Sequence, residues 1–341
     1  MCKLRFTPLL FAILFNATVV AAPQSIDRVV GNSDISEEGE NKIQAYAEGW
    51  SEELGSSDFE QMEFAYKKLI APFAPEAHMT PYARSLYGKY LKSGLSNLLS
   101  RTNKNEAAAV DALQVIGLLG TEQGCGILLN HADSGTEPRS ALRLWATVGL
   151  GSSFLTGELA PNRIERYARL LSNYVNKERA WYVLARQFDS LAALQSVPKI
   201  DRAQQDDMVA LSFELQTDSL NKLLTSITST NKFDERVQSL TFILPSLRIQ
   251  LIEPSVDEAV KKDTLNALVP SLITFVEYAV QNAPKEGASK NVYRNAAGTA
   301  GFLIDRALGN ENNIGANIQQ NWNDANMGVI VDIIETWKSN L

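Results

Sequence analysis

The sequence predicts an all-α protein made of antiparallel helix pairs, and three observations lead to this fold class. Apolar residues recur at spacings of three and four along most of the chain after residue 35, which is the period of a helix with one buried side. No stretch shows the sustained alternation that a half-buried strand requires. The helical pattern AVDALQVIGL at 109–118 returns as ALRLWATVGL at 141–150, with glycine in ninth place both times. This 32-residue offset predicts a helix pair as the repeating unit.

Composition and charge narrow the class of protein further. The chain has 341 residues, of which 45% are hydrophobic and 21% charged, so it can bury a sizeable core. Its formal net charge is −7, and no basic stripe is visible along the sequence. We therefore expect no nucleic-acid partner, because phosphate binding requires clustered lysine and arginine.

Residues 1–21 have the three parts of a secretory signal peptide. Lys3 and Arg5 form a basic start, residues 6–20 are mostly apolar, and small residues precede a cleavage point after Ala21. The apolar run is shorter than the ~20 residues of a membrane span, although a retained N-terminal anchor is the alternative. We expect export to the periplasm or the cell exterior, with no stable membrane insertion after cleavage. Only Cys125 then remains, and its small, apolar surroundings predict a buried residue.

The rest of the chain divides by composition. Residues 22–34 are predicted to be a linker, and residues 35–341 a single all-helical domain. Ten carboxylates and one lysine lie between residues 34 and 63, which predicts acidic, solvated helix surfaces at the start of the domain. Four segments are expected within the domain: acidic N-terminal capping helices (35–100), the clearest repeats (105–195), long apolar helices (201–283) and C-terminal capping helices (288–341).

Two short sequences add to the repeat signal: EPRSA at 137–141 and VYRNAA at 292–297. Together with the 32-residue offset they resemble the openings of second helices in the HEAT/armadillo-like class of α-solenoids, most clearly over residues 105–195. The resemblance implies stacked helix pairs in an irregular solenoid, and it implies a structural pair between Asp133 in the inter-helix turn and Arg139. It implies no activity, because such repeats share no catalytic residues. An irregular helical bundle and an α/α toroid are the alternative architectures.

Metal, nucleotide and cofactor sites lack the residues they need. His78 and His131 are the only histidines, and one cysteine remains after signal removal, so a Cys/His zinc set cannot be assembled. No phosphate-binding glycine motif is present. We expect no cofactor, a surface-loop position for His78, and a helix C-terminal position for His131, where its imidazole complements the helix dipole.

These observations favour an exported, non-enzymatic scaffold that binds a protein or peptide along its repeat helices. The predicted contact residues are Arg143, Tyr182 and Arg186, while Trp145 and Trp181 become binding anchors if they are exposed. One alternative is a glycan hydrolase or lyase on a helical ring, which needs two convergent carboxylates from a set of four: Glu158, Glu165, Glu178 and Asp189. Another is a structural envelope component that self-associates through its acidic helices.

Overall fold

The computed structural model describes residues 23–230, 232–284, 287–309 and 314–341. Within these residues the chain is helical and contains no strand, which confirms the predicted all-α class. The predicted signal peptide lies outside the described residues. Among the described helices, none combines the length and apolar character that a membrane crossing requires.

Fifteen α-helices follow one another along the described residues. The first four are α1 (Asp27–Val30), α2 (Glu37–Leu54), α3 (Phe59–Ile70) and α4 (Pro81–Leu99). The next five are α5 (Glu106–Gly117), α6 (Glu122–Ala132), α7 (Ser140–Phe154), α8 (Pro161–Ser172) and α9 (Trp181–Ala192). The last six are α10 (Arg202–Thr228), α11 (Val237–Ile252), α12 (Glu258–Asn282), α13 (Ala288–Leu308), α14 (Ile318–Asn323) and α15 (Met327–Ser339).

Helices pack in two alternating rows through the middle of the chain. In one row α5 contacts α7, α7 contacts α9, α9 contacts α11, and α11 contacts α13. In the other row α6 contacts α8, α8 contacts α10, and α10 contacts α12. Sequential helices such as α6 and α7 also pack against each other and join the rows. This arrangement is compatible with a helical-repeat architecture.

The N-terminal segment predicted as a linker packs onto the domain. Ile26, which precedes α1, and Val30, its last residue, are fully buried, and the Val30 carbonyl accepts a hydrogen bond from the Thr80 N–H at 2.9 Å. The described part of residues 22–34 therefore packs on the core, because Ile26 and Val30 are buried there and Val30 is hydrogen-bonded to Thr80 at the start of α4.

A recurring polar residue fixes where the helices of the first row begin. It lies two residues before the N-cap of α5, α7, α9 and α11, and its side chain accepts a hydrogen bond from the N-cap N–H at 2.8 to 3.0 Å. These four residues are Asn103, Glu137, Glu178 and Asp234. Such a bond occupies a donor that would otherwise lack a partner at the helix start. The recurrence defines a common register for the four helices.

This register corrects the offset expected from the sequence. Asn103 and Glu137 are 34 residues apart, not 32. With the offset of 34, the pattern of buried and partly exposed positions in 108–119 repeats without exception in 142–153. The offset of 32 instead aligned Gly117 with Gly149, two residues that contact each other between α5 and α7.

Small residues let the helices of this row approach closely. A Cβ atom added to Gly117 would lie 2.7 Å from the Gly149 Cα, and one added to Gly151 would lie 3.2 Å from the Ser190 Cα. In the common register Gly117 is equivalent to Gly151, and Gly149 to Ser190. The same two positions therefore form both junctions, and each junction depends on a glycine that leaves room for a neighbouring backbone.

Two apolar cores fill the domain, one from the N-terminal helices and one from the C-terminal helices. Both draw residues from α9 and α10, for example Leu191 and Phe188 on α9. Polar side chains are buried in the same two helices, including Gln187 and Gln216. Gln216 donates to Gln250 Oε1 at 2.9 Å, so a hydrogen-bonded amide group ties α10 to α11 where the two cores meet.

Candidate partner-binding face

Three outward positions recur along α5, α7, α9 and α11 in the common register, and the third falls on the residue just after α5 and just after α9. All twelve side chains are partly or largely exposed, and together they are named the odd-helix face. The twelve residues form three sets of equivalent positions, each with one residue per helix: Asp111, Trp145, Arg186 and Phe242; Gln114, Val148, Asp189 and Pro245; and Leu118, Ser152, Ala193 and Ile249. Three of the twelve residues carry a charge, which is few for an exposed helix surface.

A groove of about 430 Å³ runs between α7 and α9 on this face. Its α7 wall includes Trp145, Val148 and Leu155, and the Leu155 side chain at the C-terminal end of this helix is 45% exposed. Arg186 and Asp189 line the α9 wall. The groove therefore combines apolar surface with one pair of opposite charges, which is the usual make-up of a ligand or peptide site.

An aromatic stack continues the exposed surface from α9 to α11. The rings of Trp181 and Phe242 are parallel to within 14°, with centroids 5.6 Å apart. Phe242 is nevertheless 52% exposed, and Ile249 and Ile252 on the same helix are 59% and 50% exposed. An apolar stripe of this kind gains free energy when another surface covers it.

Tyr182 and Arg186, two of the predicted contact residues, lie at this surface. The Tyr182 hydroxyl donates to Ser140 Oγ at 2.6 Å, and its ring meets Trp181 edge-on, so this side chain is fixed in place. Arg186 is exposed and forms an ion pair with Asp189 at 2.5 Å. Such an exposed pair is weakly held, which leaves the Arg186 guanidinium able to exchange partners. Their role in binding stays a prediction.

Arg143, the third predicted contact residue, points into the protein. It is buried, and its Nε and Nη2 atoms donate to the two carboxylate oxygens of Glu178 at 2.7 and 2.9 Å. Its Nη1 atom donates to the carbonyls of Glu137 and Pro138 at 3.0 and 2.9 Å. Arg143 therefore joins α7 to the turn before α9, and it is not part of the odd-helix face.

The predicted turn pair has a different acidic member. Arg139 forms its ion pair with Glu137, whose side chain is 1% exposed, at 2.8 Å. Asp133 instead accepts a hydrogen bond from the Gly135 N–H at 2.9 Å. Arg139 pairs with Glu137 rather than with Asp133 because Glu137 is nearer in the chain. Glu137 also contacts His131 at the C-terminal end of α6, where the His131 Nδ1 lies 2.9 Å from Glu137 Oε2.

The electrostatics of Glu137 follow from these contacts. Burial alone would raise the pKa of this carboxyl group, but hydrogen bonds from the Arg139 side chain and backbone and from His131 lower it to about 2. Glu137 is therefore a structural anion that holds the starts of the repeat helices together, and sequence spacing alone did not reveal it.

The four carboxylates of the glycan-hydrolase alternative each pair with a different base. Glu158 pairs with Lys199 at 3.1 Å, and Glu178 is buried against Arg143. Asp189 pairs with Arg186, and Glu165 with Arg169 on the surface of α8. No base is shared between any two of the four, and no described contact brings two of them together on one site.

The described cysteine and histidine side chains take part in no metal cluster. Cys125 is buried, as predicted, and burial raises the pKa of its thiol to about 12. His78 lies in the turn before α4 with a left-handed φ of 47°. In the described part of the chain, no three histidine, cysteine or acidic side chains lie close enough together to hold a metal ion.

The chain matches no known protein-family model, and no curated protein is similar to it in sequence.

Proposed function

We propose that this chain is a non-enzymatic, exported helical-repeat protein that binds a protein or peptide along its odd-helix face. The paired helices would stack as an irregular HEAT-like α-solenoid, and residues 1–21 would direct export. The alternating rows of helices, the repeated acceptor before each odd helix and the repeated small-residue junction support the solenoid.

The exposed stack of Trp181 on Phe242 carries the proposal for the binding face. Aromatic rings that pack on each other and still face solvent present a large, rigid apolar surface. Such residues dominate the binding energy of protein interfaces, together with arginine. Arg186 lines the same groove as Trp145 and supplies that charge. A partner segment with apolar side chains and an acidic group fits this surface.

Site-specific photocrosslinking tests the location of the face. A photoreactive amino acid placed at Phe242 is expected to yield a covalent adduct with a polypeptide from the native compartment. The matched control carries the same group at Lys222, an exposed residue of α10 in the other row. Equal labelling at both positions, or no adduct at Phe242, would contradict the proposal.

Affinity measurements with the partner identified in that adduct then test the anchors. We expect Trp145→Ala and Phe242→Ala each to weaken binding about tenfold or more, as at interface hot spots. Val331→Ala is the control, because Val331 is an apolar residue that is 47% exposed on α15, away from the face. Full affinity in both anchor variants would remove the odd-helix face as the site.

A further inference from the structure

A second concave surface lies in the other row of helices, between α8, α10 and α12. It is a groove of about 770 Å³, within the size range of small-molecule sites. Five carboxylates from the three helices line it, and it is named the acidic groove: Glu165, Asp207, Glu214, Asp218 and Asp263.

The charge of this groove is only partly balanced. Its one basic residue, Arg169, pairs with Glu165 at 2.9 Å and with Glu214 at 2.7 Å. Among the described residues, Asp207, Asp218 and Asp263 have no ion-pair or side-chain hydrogen-bond partner. Three exposed carboxylates therefore face one groove without a counterion from the described chain, which makes the groove attractive to cations.

A buried hydroxyl group gives independent support for a ligand. Thr217 lines the groove between the acidic residues of α10 and is only 6% exposed. Its Oγ1 atom has no hydrogen-bond partner in the described part of the chain. A buried polar atom without a partner is costly, so a ligand that donates a hydrogen bond here would remove a penalty of the free protein.

The floor of the groove is apolar, and its acids are spread along a line. Met208, Leu211 and Val260 line the groove beneath the carboxylates. Asp207, Glu214 and Asp218 follow one stripe of α10, about 10 and 6 Å apart along the helix axis. A single metal ion binds oxygens within about 2.6 Å and cannot meet charges so dispersed. An elongated cation with several charges can.

We propose that the acidic groove binds a linear polyamine. Its ammonium groups would pair with Asp207, Asp218 and Asp263, and its methylene chains would lie on the apolar floor. One ammonium group would donate a hydrogen bond to Thr217 Oγ1. This site is independent of the odd-helix face, and it is a binding site for an alkyl cation rather than a reaction centre.

Titration calorimetry of the full chain with spermine tests the site. We expect saturable binding with one spermine per chain, weakening as salt is added because the contacts are ionic. Asp207→Asn combined with Asp218→Asn should weaken binding about tenfold, and Thr217→Val should weaken it more mildly. Asp206→Asn is the control, because Asp206 is exposed on the same helix but does not line the groove.

Three results would overturn the inference. The first is no saturable spermine binding at low salt. The second is an equal loss of affinity in Asp206→Asn and in the groove variants, which would indicate general attraction to an acidic protein. The third is that a lysine-containing peptide binds more tightly than spermine and that the same variants weaken its binding. This result would assign the groove to a polypeptide. Trp145→Ala should leave spermine affinity unchanged, so failure of one site is distinguishable from failure of the other.

Discussion

The odd-helix face and the acidic groove are built from the same helix pairs but differ in charge and in helix spacing. The odd-helix face carries three charges among twelve residues, and its helices meet at small residues such as Gly117 and Gly151. The acidic groove carries five carboxylates and one arginine, and it opens a volume of about 770 Å³ between its helices. The first row thus comes to backbone contact at its glycines and keeps a groove of about 430 Å³, while the other row leaves the larger one.

This difference shows how a helix pair can separate two recognition chemistries. An odd helix packs on both neighbours in its row and on the other row, so only a narrow stripe of its surface reaches solvent. Helix α8 in the other row has four buried residues and directs its charged side chains outward: Arg163, Glu165, Arg166 and Arg169. The second row therefore presents charged residues to solvent, while the first row presents aromatic residues.

The largest expected effect comes from the ion pair that joins α7 to α9 beneath the odd-helix face. Arg143→Met leaves the buried Glu178 carboxylate without its base, and we expect a loss of about 3–5 kcal/mol in the free energy of unfolding. Urea denaturation measures this. The double variant Arg143→Met, Glu178→Met should be more stable than Arg143→Met alone, since it leaves no buried charge unpaired. Wild-type stability combined with lost partner binding would instead restore Arg143 as a contact residue.

Glu137 should make the free energy of unfolding sensitive to acid. Its pKa of about 2 lies below the ordinary value of 4.5, so the ionised carboxylate stabilises the fold above pH 4.5. That stabilisation, on the order of 3 kcal/mol, is lost as the pH falls from 4.5 towards 2. Glu137→Gln should flatten this pH dependence of unfolding, while Glu60→Gln, at an exposed residue, should not. An unchanged acid profile in Glu137→Gln would contradict the assigned network.

Glycine substitutions test whether neighbouring helices pack more closely in the row of α5, α7 and α9 than in the row that contains α6. Gly117→Ala places a Cβ against the Gly149 backbone and should cost about 1–3 kcal/mol by overpacking. Gly151→Ala should cost less, because its new Cβ would lie 3.2 Å from the nearest backbone atom, the Ser190 Cα, and not 2.7 Å. Gly126→Ala on α6 has nothing within 4 Å and should stabilise by about 0.5–1 kcal/mol. Equal effects at all three positions in thermal unfolding would show that the row is not closely packed.

The fold class was predictable because helical periodicity depends only on local spacing. Pro81 and Pro161 begin α4 and α8, where a proline at the first helical residue loses no hydrogen bond. The repeat register was harder to see. Letter matching aligned Gly117 with Gly149, whereas the true equivalence rests on Asn103 and Glu137, two different residues that accept the same kind of backbone hydrogen bond. Chemically interchangeable acceptors do not match as letters.

The candidate site was predictable only in part. Arg186 lines the Trp145 groove and Tyr182 is partly exposed on the same helix, and the role of both in binding stays a prediction. Arg143 looked equally available, but its carboxylate partner Glu178 is 35 residues away, and such a contact has no local signal. Phe242 was missed because its exposure depends on how α11 packs against α9. The spacing of acceptors two residues before each N-cap is the one signal that could have revealed the register.

The smallest expected effect on stability belongs to the one ion pair of the odd-helix face. Asp189→Asn removes the exposed partner of Arg186 and should change the free energy of unfolding by about 0.5 kcal/mol or less. Partner affinity should respond differently. Because Asp189 competes with an acidic partner for the Arg186 guanidinium, Asp189→Asn should strengthen binding, while Arg186→Gln should weaken it. Surface plasmon resonance with the crosslinked partner measures both, and weaker binding in both variants would mean that the face recognises the ion pair itself, and so a neutral polar group rather than an acid.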